Sequence, residues 1–377
     1  MEKLGLYIHI PFCAKKCAYC DFYSIEDASL MNAYTYALIA QIKSFKNACK
    51  NYFVDTIYIG GGTPSILPAD HIVRILDAVR ATFRVQPDAE ISMEANPGTL
   101  TSEKLSIYRE AGVNRLSIGL QSADNAELSR LCRIHTRDEF ETSFMLARME
   151  GFDNISVDIM YGLPDQKPEV LAETIRYVTA LSPEHISFYG LKIEPETPFG
   201  RDPAIEKSLP DEDIQAEMYL SSAEAIEKKG YKQYEISNFA KPGFECRHNI
   251  RYWKCDEYLG FGPAAYSFFG GRMFSYKKDI QLYIQESANY EVILGENTIP
   301  TAEELATQYV MLGFRLRHGV NAIEYGERFG DDFEARYKPK MRPFLIKDYI
   351  HKTTTGYRLT RRGMLISNYI LSEILDF

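Results

Sequence analysis

Apolar residues cluster in short runs at 5–10 (GLYIHI), 55–60 (DTIYIG), 90–95 (EISMEA), 115–120 (RLSIGL), 154–160 (NISVDIM) and 185–193 (HISFYGLKI). Runs of this length with β-branched and aromatic residues predict six buried strands. Between them, segments 30–49, 69–83, 101–111, 137–150 and 168–181 carry apolar residues at helical spacing. A strand followed by a helix, repeated, predicts an α/β fold with a parallel sheet, and over this length a full or partial barrel rather than an open sheet. The pattern breaks near 235: Gly, Pro and aromatic residues crowd the stretch from Tyr234 to Tyr276, and helical periodicity returns only from 302. The chain closes on GYRLTRRGMLISNYILSEIL, which reads as a strand, a turn and a last amphipathic helix. The expected division is a core domain at 1–235 and a C-terminal α+β region at 236–377.

In parallel α/β folds ligands bind beyond the carboxyl ends of the strands. Those ends carry the chemistry here: Cys13 follows the first strand, Gly60-Gly61-Gly62-Thr63-Pro64 the second, Glu94-Ala95-Asn96-Pro97 the third, Gln121 the fourth, and Asp158 with Tyr161-Gly162-Leu163-Pro164 the fifth.

Composition narrows the function classes. Of 377 residues, 45% are hydrophobic, as in an ordinary globular protein, and no apolar run nears the ~20 residues of a membrane span. The opening MEKLGLYIHIPFC lacks a signal-peptide pattern, so a cytoplasmic location and no stable membrane insertion are expected. With 52 acidic against 43 basic residues the net charge is −9, which offers no general attraction to phosphate backbones, and nucleic acid is not an expected partner. Seven cysteines are too few for a disulfide framework, and three of them fall within eight residues.

Cys13-x3-Cys17-x2-Cys20 puts three thiolates on one tight loop, the donor type and spacing that hold iron–sulfur clusters. Buried structural cysteines or a zinc knuckle are the competing readings; zinc needs a fourth ligand, and the chain has no second CxxC-type pair. Gly60–Pro64 alone is a weak motif, readable as a tight turn or as a place where backbone approaches a ligand. Glu94 and Asp158 offer acceptors, Gln121 an amide and Arg133 a fork of donors suited to a carboxylate; each alone also reads as structural.

The segment IPFCAKKCAYCDF resembles the CxxxCxxC signature of the radical S-adenosylmethionine (SAM) superfamily. The resemblance implies a partial (β/α)6 barrel and a [4Fe–4S] cluster on Cys13, Cys17 and Cys20, whose open iron chelates SAM. It further implies that Tyr19 packs near the adenine and that Gly61, Gly62 and Thr63 receive the methionyl ammonium. Within the coproporphyrinogen-oxidase-like branch it extends the SAM-contacting set to Tyr7, Glu94, Gln121, Arg133 and Asp158, and it runs on through YGLPDQ at 161–166.

Two families share these features: oxygen-independent coproporphyrinogen III oxidase, which decarboxylates propionate side chains oxidatively, and the haem chaperone family HemW. Three features point to the second. Cys20-Asp21-Phe22 lacks the additional cysteine typical of the oxidase, only twelve residues precede Cys13, and Cys246 leads into HNxxYW at 248–253, a motif associated with haem binding in the chaperones. His248, with an imidazole of the kind that ligates haem iron, is the expected axial ligand, beside Asn249 and with Tyr252 and Trp253 packed on the macrocycle. A histidine among aromatics also reads as a hydrogen-bonded structural residue. Cys246 is a secondary ligand candidate; Cys49, Cys132 and Cys255 read as packing residues, and His135 either assists near SAM or starts a helix. Tyr266 stands where relatives often carry histidine. The resemblance thus implies a haem chaperone that delivers haem to acceptors such as respiratory enzymes, served by an electron donor to the cluster. The oxidase is the rival reading, and whether SAM is cleaved productively stays open.

Overall fold

The computed structural model describes residues 2–375. Six parallel strands alternate with helices as the periodicity predicts: β1 (Glu2–Ile10), α1 (Met31–Ser44), β2 (Tyr52–Gly61), α2 (Ala69–Thr82), β3 (Val85–Ala95), α3 (Ser102–Glu110), β4 (Arg115–Gln121), α4 (Asn125–Arg130), α5 (Arg137–Met149), β5 (Ile155–Tyr161), α6 (Pro168–Leu181) and β6 (His185–Gly190). Helix starts are chemically marked. Thr136 and Glu139 form a capping box on α5, Thr101 caps α3, and Pro168 occupies the first turn of α6.

Consecutive strands pair in the order β1 to β6, all parallel. The apolar alternate positions Leu116, Ile118 and Leu120 of β4 are fully buried in the main core, while Arg115, Ser117, Gly119 and Gln121 line a cavity on the other face. Residues of β2, β3, β4, β5 and β6 surround that one cavity, so the sheet is curved into a partial barrel.

Helical alternation stops after 235, as expected, but the sheet continues. β7 (Lys232–Gln233), β8 (Asn238–Ala240), β9 (Tyr258–Phe261), β10 (Tyr266–Phe269), β11 (Arg272–Tyr276) and β12 (Leu294–Thr298) bring it to twelve strands, in the order β12-β11-β10-β9-β1-β2-β3-β4-β5-β6-β8-β7. β9 joins β1 in parallel and β8 joins β6 antiparallel, so the strands after 235 extend both edges of the barrel sheet. The main core accordingly runs from Leu4 to Ile293, and a second core gathers residues from Ala306 to Leu375. The last expected helix is interrupted at Ile366, dividing it into Arg361–Leu365 and Ser367–Ile374.

Candidate functional site

The cysteine loop leaves β1 at the carboxyl end of the barrel and is pinned at its neck. Cys13 N–H donates to the Ile25 carbonyl at 2.9 Å, Ile25 N–H to Pro11 at 2.9 Å, and Phe12 is buried beneath. The glycine loop after β2 lies directly against it: Gly62 N–H donates to Ile10 at 2.8 Å and Thr63 N–H to Phe12 at 2.7 Å. A Cβ at Gly62 would stand 2.6 Å from the Phe12 carbonyl, and Gly61 has φ +111°. These two positions need glycine to bring the loops together.

Cys13, Cys17 and Cys20 are free thiols, each partly buried, and all three line a cavity of about 360 Å³. Thr63 Oγ1 lies 3.7 Å from Cys13 Sγ, and Arg133 Nη1 lies 3.5 Å from Cys17 Sγ. Burial pushes the Cys20 thiol up to about 11, helped by Cys17 and Cys13, so its thiolate needs a cationic partner. Among the described residues no three His, Cys, Asp or Glu side chains converge on a single ion. Three free thiols facing one cavity are the donor type and number that hold a cubane cluster with one iron left open, whereas a structural zinc takes four protein ligands.

The cavity walls gather the expected SAM set with one exception. Tyr19, Gly61, Gly62, Thr63, Glu94, Gln121, Arg133 and Asp158 all face it together with the cysteines. Glu94 Oε1 accepts from the Tyr58 hydroxyl at 2.8 Å and Oε2 from Gly61 N–H at 3.1 Å. Burial nevertheless raises its carboxyl to about 7. Gln121 takes a left-handed φ of +72° where the pairing of β4 with β5 slips. Arg133 Nη2 donates to Asn96 Oδ1 at 2.8 Å and to the Gly119 carbonyl at 2.9 Å, and Asn96 in turn reaches Thr63 Oγ1 at 2.9 Å. Asp158 accepts from Ser117 Oγ at 2.9 Å.

The exception is Tyr7. Its hydroxyl meets His9 Nδ1 at 3.0 Å, its ring lies 6.3 Å from that of Tyr58, and it faces a second cavity. His135 also stands apart: buried, it bonds the Leu120 carbonyl at 3.3 Å and faces neither cavity. Sequence reasoning did not single out Tyr58, Arg115, Ser187 or Tyr189 as cavity residues. Alternation was the available signal, since all four share the inward parity of their strands.

The HNxxYW segment forms a short helix, Arg247–Trp253, packed on the barrel strands. Glu90 on β3 accepts from the backbone N–H of Arg247 at 2.9 Å and of His248 at 3.1 Å, holding the helix by its N-terminus. Arg251 forms a buried ion pair with Asp55. His248 is fully buried, with Nδ1 2.9 Å from Thr56 Oγ1, Nε2 2.8 Å from the Tyr252 hydroxyl, and its ring stacked 5.4 Å from Tyr58. Burial lowers its pKa to about 3, so the ring is neutral. Both nitrogens are occupied and neither cavity is lined by His248, so this geometry does not support the expected axial ligation. Cys246 is likewise buried, against Glu90, and faces neither cavity.

The other motif residues divide between the two cavities. Asn249 faces the cysteine cavity, whereas Tyr252 and Trp253 face the second one, of about 580 Å³. That cavity is rich in aromatic residues, among them Tyr7, Tyr23, Tyr258, Tyr266 and Phe268, with Cys255, Met273 and Lys278 also on its wall. Phe22, next to Cys20 but one, lines both.

Residues 7–178 match the radical SAM superfamily and residues 301–366 the HemN C-terminal domain. The chain is similar in fold to Escherichia coli coproporphyrinogen III oxidase (HemN), a radical SAM enzyme, with a TM-score of 0.86 and 24% identity over 99% of this chain and 90% of that one. It is 35% identical to the Bacillus subtilis heme chaperone HemW, covering 98% of each chain. The Escherichia coli heme chaperone HemW is 34% identical over 100% of this chain and 99% of its own. Similarity of that degree along the full length of both relatives, through cysteine loop, barrel and C-terminal region alike, shows that the protein belongs to the HemW family of haem chaperones.

Proposed function

We propose that the protein binds haem in the second cavity and passes it to acceptor haemoproteins, with a [4Fe–4S] cluster and SAM held in the first. The observation that carries this reading is the pair of adjacent cavities sharing Phe22 and the helix Arg247–Trp253. One is ringed by three thiols and polar strand ends; the other is large, aromatic and bordered by a lysine. A porphyrin is a broad apolar plane carrying carboxylates, so the tyrosine-rich wall, Trp253 and Lys278 suit it. Cys255, Met273, the tyrosines and His9 are the iron donors on that wall; His9 has both nitrogens engaged, by the Tyr7 hydroxyl at 3.0 Å and the Tyr23 carbonyl at 2.8 Å, and His248 acts by holding Tyr252 in place.

In the first cavity Cys13, Cys17 and Cys20 would hold the cluster, and Glu94, Gln121, Arg133 and Asp158 the SAM. A cluster of this kind supplies a single electron when bound. Glu94 is set to receive an ammonium or hydroxyl, Arg133 secures the loop of Cys17 against β4, and Gly61 and Gly62 let the backbone approach. A cytoplasmic site of action, an electron donor for the cluster and respiratory acceptors complete the proposal. All seven cysteines are free, and no helix among the described residues is long and apolar enough to cross a membrane. The proposed functional boundary stays at 235, after which the chain supplies the helix Arg247–Trp253 and most of the second cavity's wall.

The test is an anaerobic haem titration of cluster-reconstituted protein followed by absorbance, on wild type, Trp253→Ala and Leu312→Trp, the last to fill the second cavity. Saturable uptake weakened about tenfold in either variant supports the reading. Uptake unchanged in both moves haem elsewhere; no uptake, together with decarboxylation of coproporphyrinogen, transfers the protein to the oxidase reading.

A further inference from the structure

Arg115 is the first residue of β4 and lies at the amino-terminal end of the barrel, on the inward face shared by Ser117, Gly119 and Gln121. It is 1% exposed, yet Nε and Nη1 of its guanidinium have no hydrogen-bond partner among the described residues. An arginine carries five donors and is always charged, so a buried one with two of its nitrogens unpartnered is an incomplete structure rather than a comfortable one. The carboxylate that acts most strongly on it, Glu90, is already engaged by the Arg247 and His248 amides and by Cys246 Sγ. Arg115 also lines the same cavity as the cysteines. Asn249, partly buried, faces the same cavity from the helix Arg247–Trp253. Tyr58, Tyr189 and Met160 supply apolar surface above them.

We propose that the floor of this cavity is a subsite for a small molecule with an apolar body and a carboxylate, the carboxylate being received by Arg115 with Asn249. Two other carboxylates face the cavity and select against a dianion at its mouth: Asp158, bonded to Ser117, and Glu94, bonded to Tyr58 and Gly61. An acid entering head first would place its charge beyond them and its body among the tyrosines. This subsite does not depend on haem occupying the second cavity, and its failure would leave that reading untouched.

The experiment is isothermal titration of 3-phenylpropionate, and separately of 3-phenylpropionamide, into anaerobic cluster-reconstituted protein with SAM present. Wild type, Arg115→Gln and Arg115→Lys are compared, with circular dichroism and iron content checked for each. The acid should bind saturably, the amide about tenfold or more weakly, and Arg115→Gln should lose the preference while Arg115→Lys keeps much of it. Equal binding of acid and amide by wild type, no saturable binding of the acid, or an undiminished preference in Arg115→Gln would each overturn the proposal. Should the glutamine variant fail to fold, the acid-to-amide ratio in wild type and in the lysine variant decides alone: a ratio near one in wild type refutes the subsite.

Discussion

Replacing His248 separates a structural role from iron ligation, because the two make opposite demands on the apoprotein. In the structure the ring is fully buried and spends both nitrogens on the hydroxyls of Thr56 and Tyr252, 2.9 and 2.8 Å away. His248→Ala would leave both hydroxyls unpaired in the interior and open a ring-sized void, costing about 3–5 kcal/mol of the ~5–15 kcal/mol a domain has. The pH dependence follows from the depressed pKa. His248 titrates near 3 when folded against 6.5 when unfolded, so between these values the unfolded chain binds the extra proton. Its contribution is therefore complete above pH 6.5 and is lost toward pH 3, at about 1.4 kcal/mol per pH unit. The stability gap between wild type and His248→Gln, measured by urea unfolding of haem-free protein, should thus narrow by about 3 kcal/mol between pH 6.5 and pH 4. A gap that stays constant with pH, or an alanine variant within about 0.5 kcal/mol of wild type that nonetheless loses haem, would refute the structural role and restore His248 as a ligand.

Four further outcomes are expected. Alanine at Cys13, Cys17 or Cys20 should abolish the iron–sulfur absorbance while circular dichroism stays native, since the loop sits at the barrel mouth and contributes little to the core. SAM affinity should rise with pH through about 7, where Glu94 ionises, and Glu94→Gln should bind weakly with that dependence removed; an unchanged profile in equilibrium dialysis would exclude Glu94 as the acceptor. Gly61→Ala places a Cβ 2.5 Å from His9 Nδ1 at φ +111°, and thermal melts should show a loss of about 1–3 kcal/mol together with weakened SAM binding. Asp55→Ala leaves Arg251 buried without its carboxylate and should cost about 3–5 kcal/mol, whereas a loss under 1 kcal/mol would mean that the pair is open to water.

Much of the barrel was legible because each of its strands is a short apolar run closed by glycine, proline or a polar tip, and those tips carry the cysteine-cavity residues. What stayed hidden has physical reasons. β7 has two residues and β8 three, too short to show a period, and the pairing of β8 onto β6 and of β7 onto β8 is set by the core rather than by local pattern. Arg115 was hidden inside a segment that reads as simply hydrophobic. RLSIGLQ alternates strictly, with leucine and isoleucine toward the helices and the polar or small residues toward the cavity. The same alternation that marked the strand marked the inward face, and reading it by parity would have found Tyr58, Ser187 and Tyr189 as well.

The HNxxYW helix was the hardest element to place, and its partners explain why. Seven residues are too few to hold a helix in water, so its existence depends on contacts from elsewhere. Glu90 secures its start, Thr56 its histidine and Asp55 its arginine, all from strands more than 150 residues earlier. These buried polar contacts fix rotation as well as position, since each is satisfied in one orientation of the helix only. That orientation sends Asn249 toward the cysteine cavity and Tyr252 and Trp253 toward the aromatic one. Histidine, arginine and their partners thus hold the helix, and Asn249, Tyr252 and Trp253 face the two cavities. A motif that looks like a ligand set is better understood as a rigid partition whose two faces belong to different cavities, which makes Trp253, rather than His248, the motif residue to change when haem binding is measured.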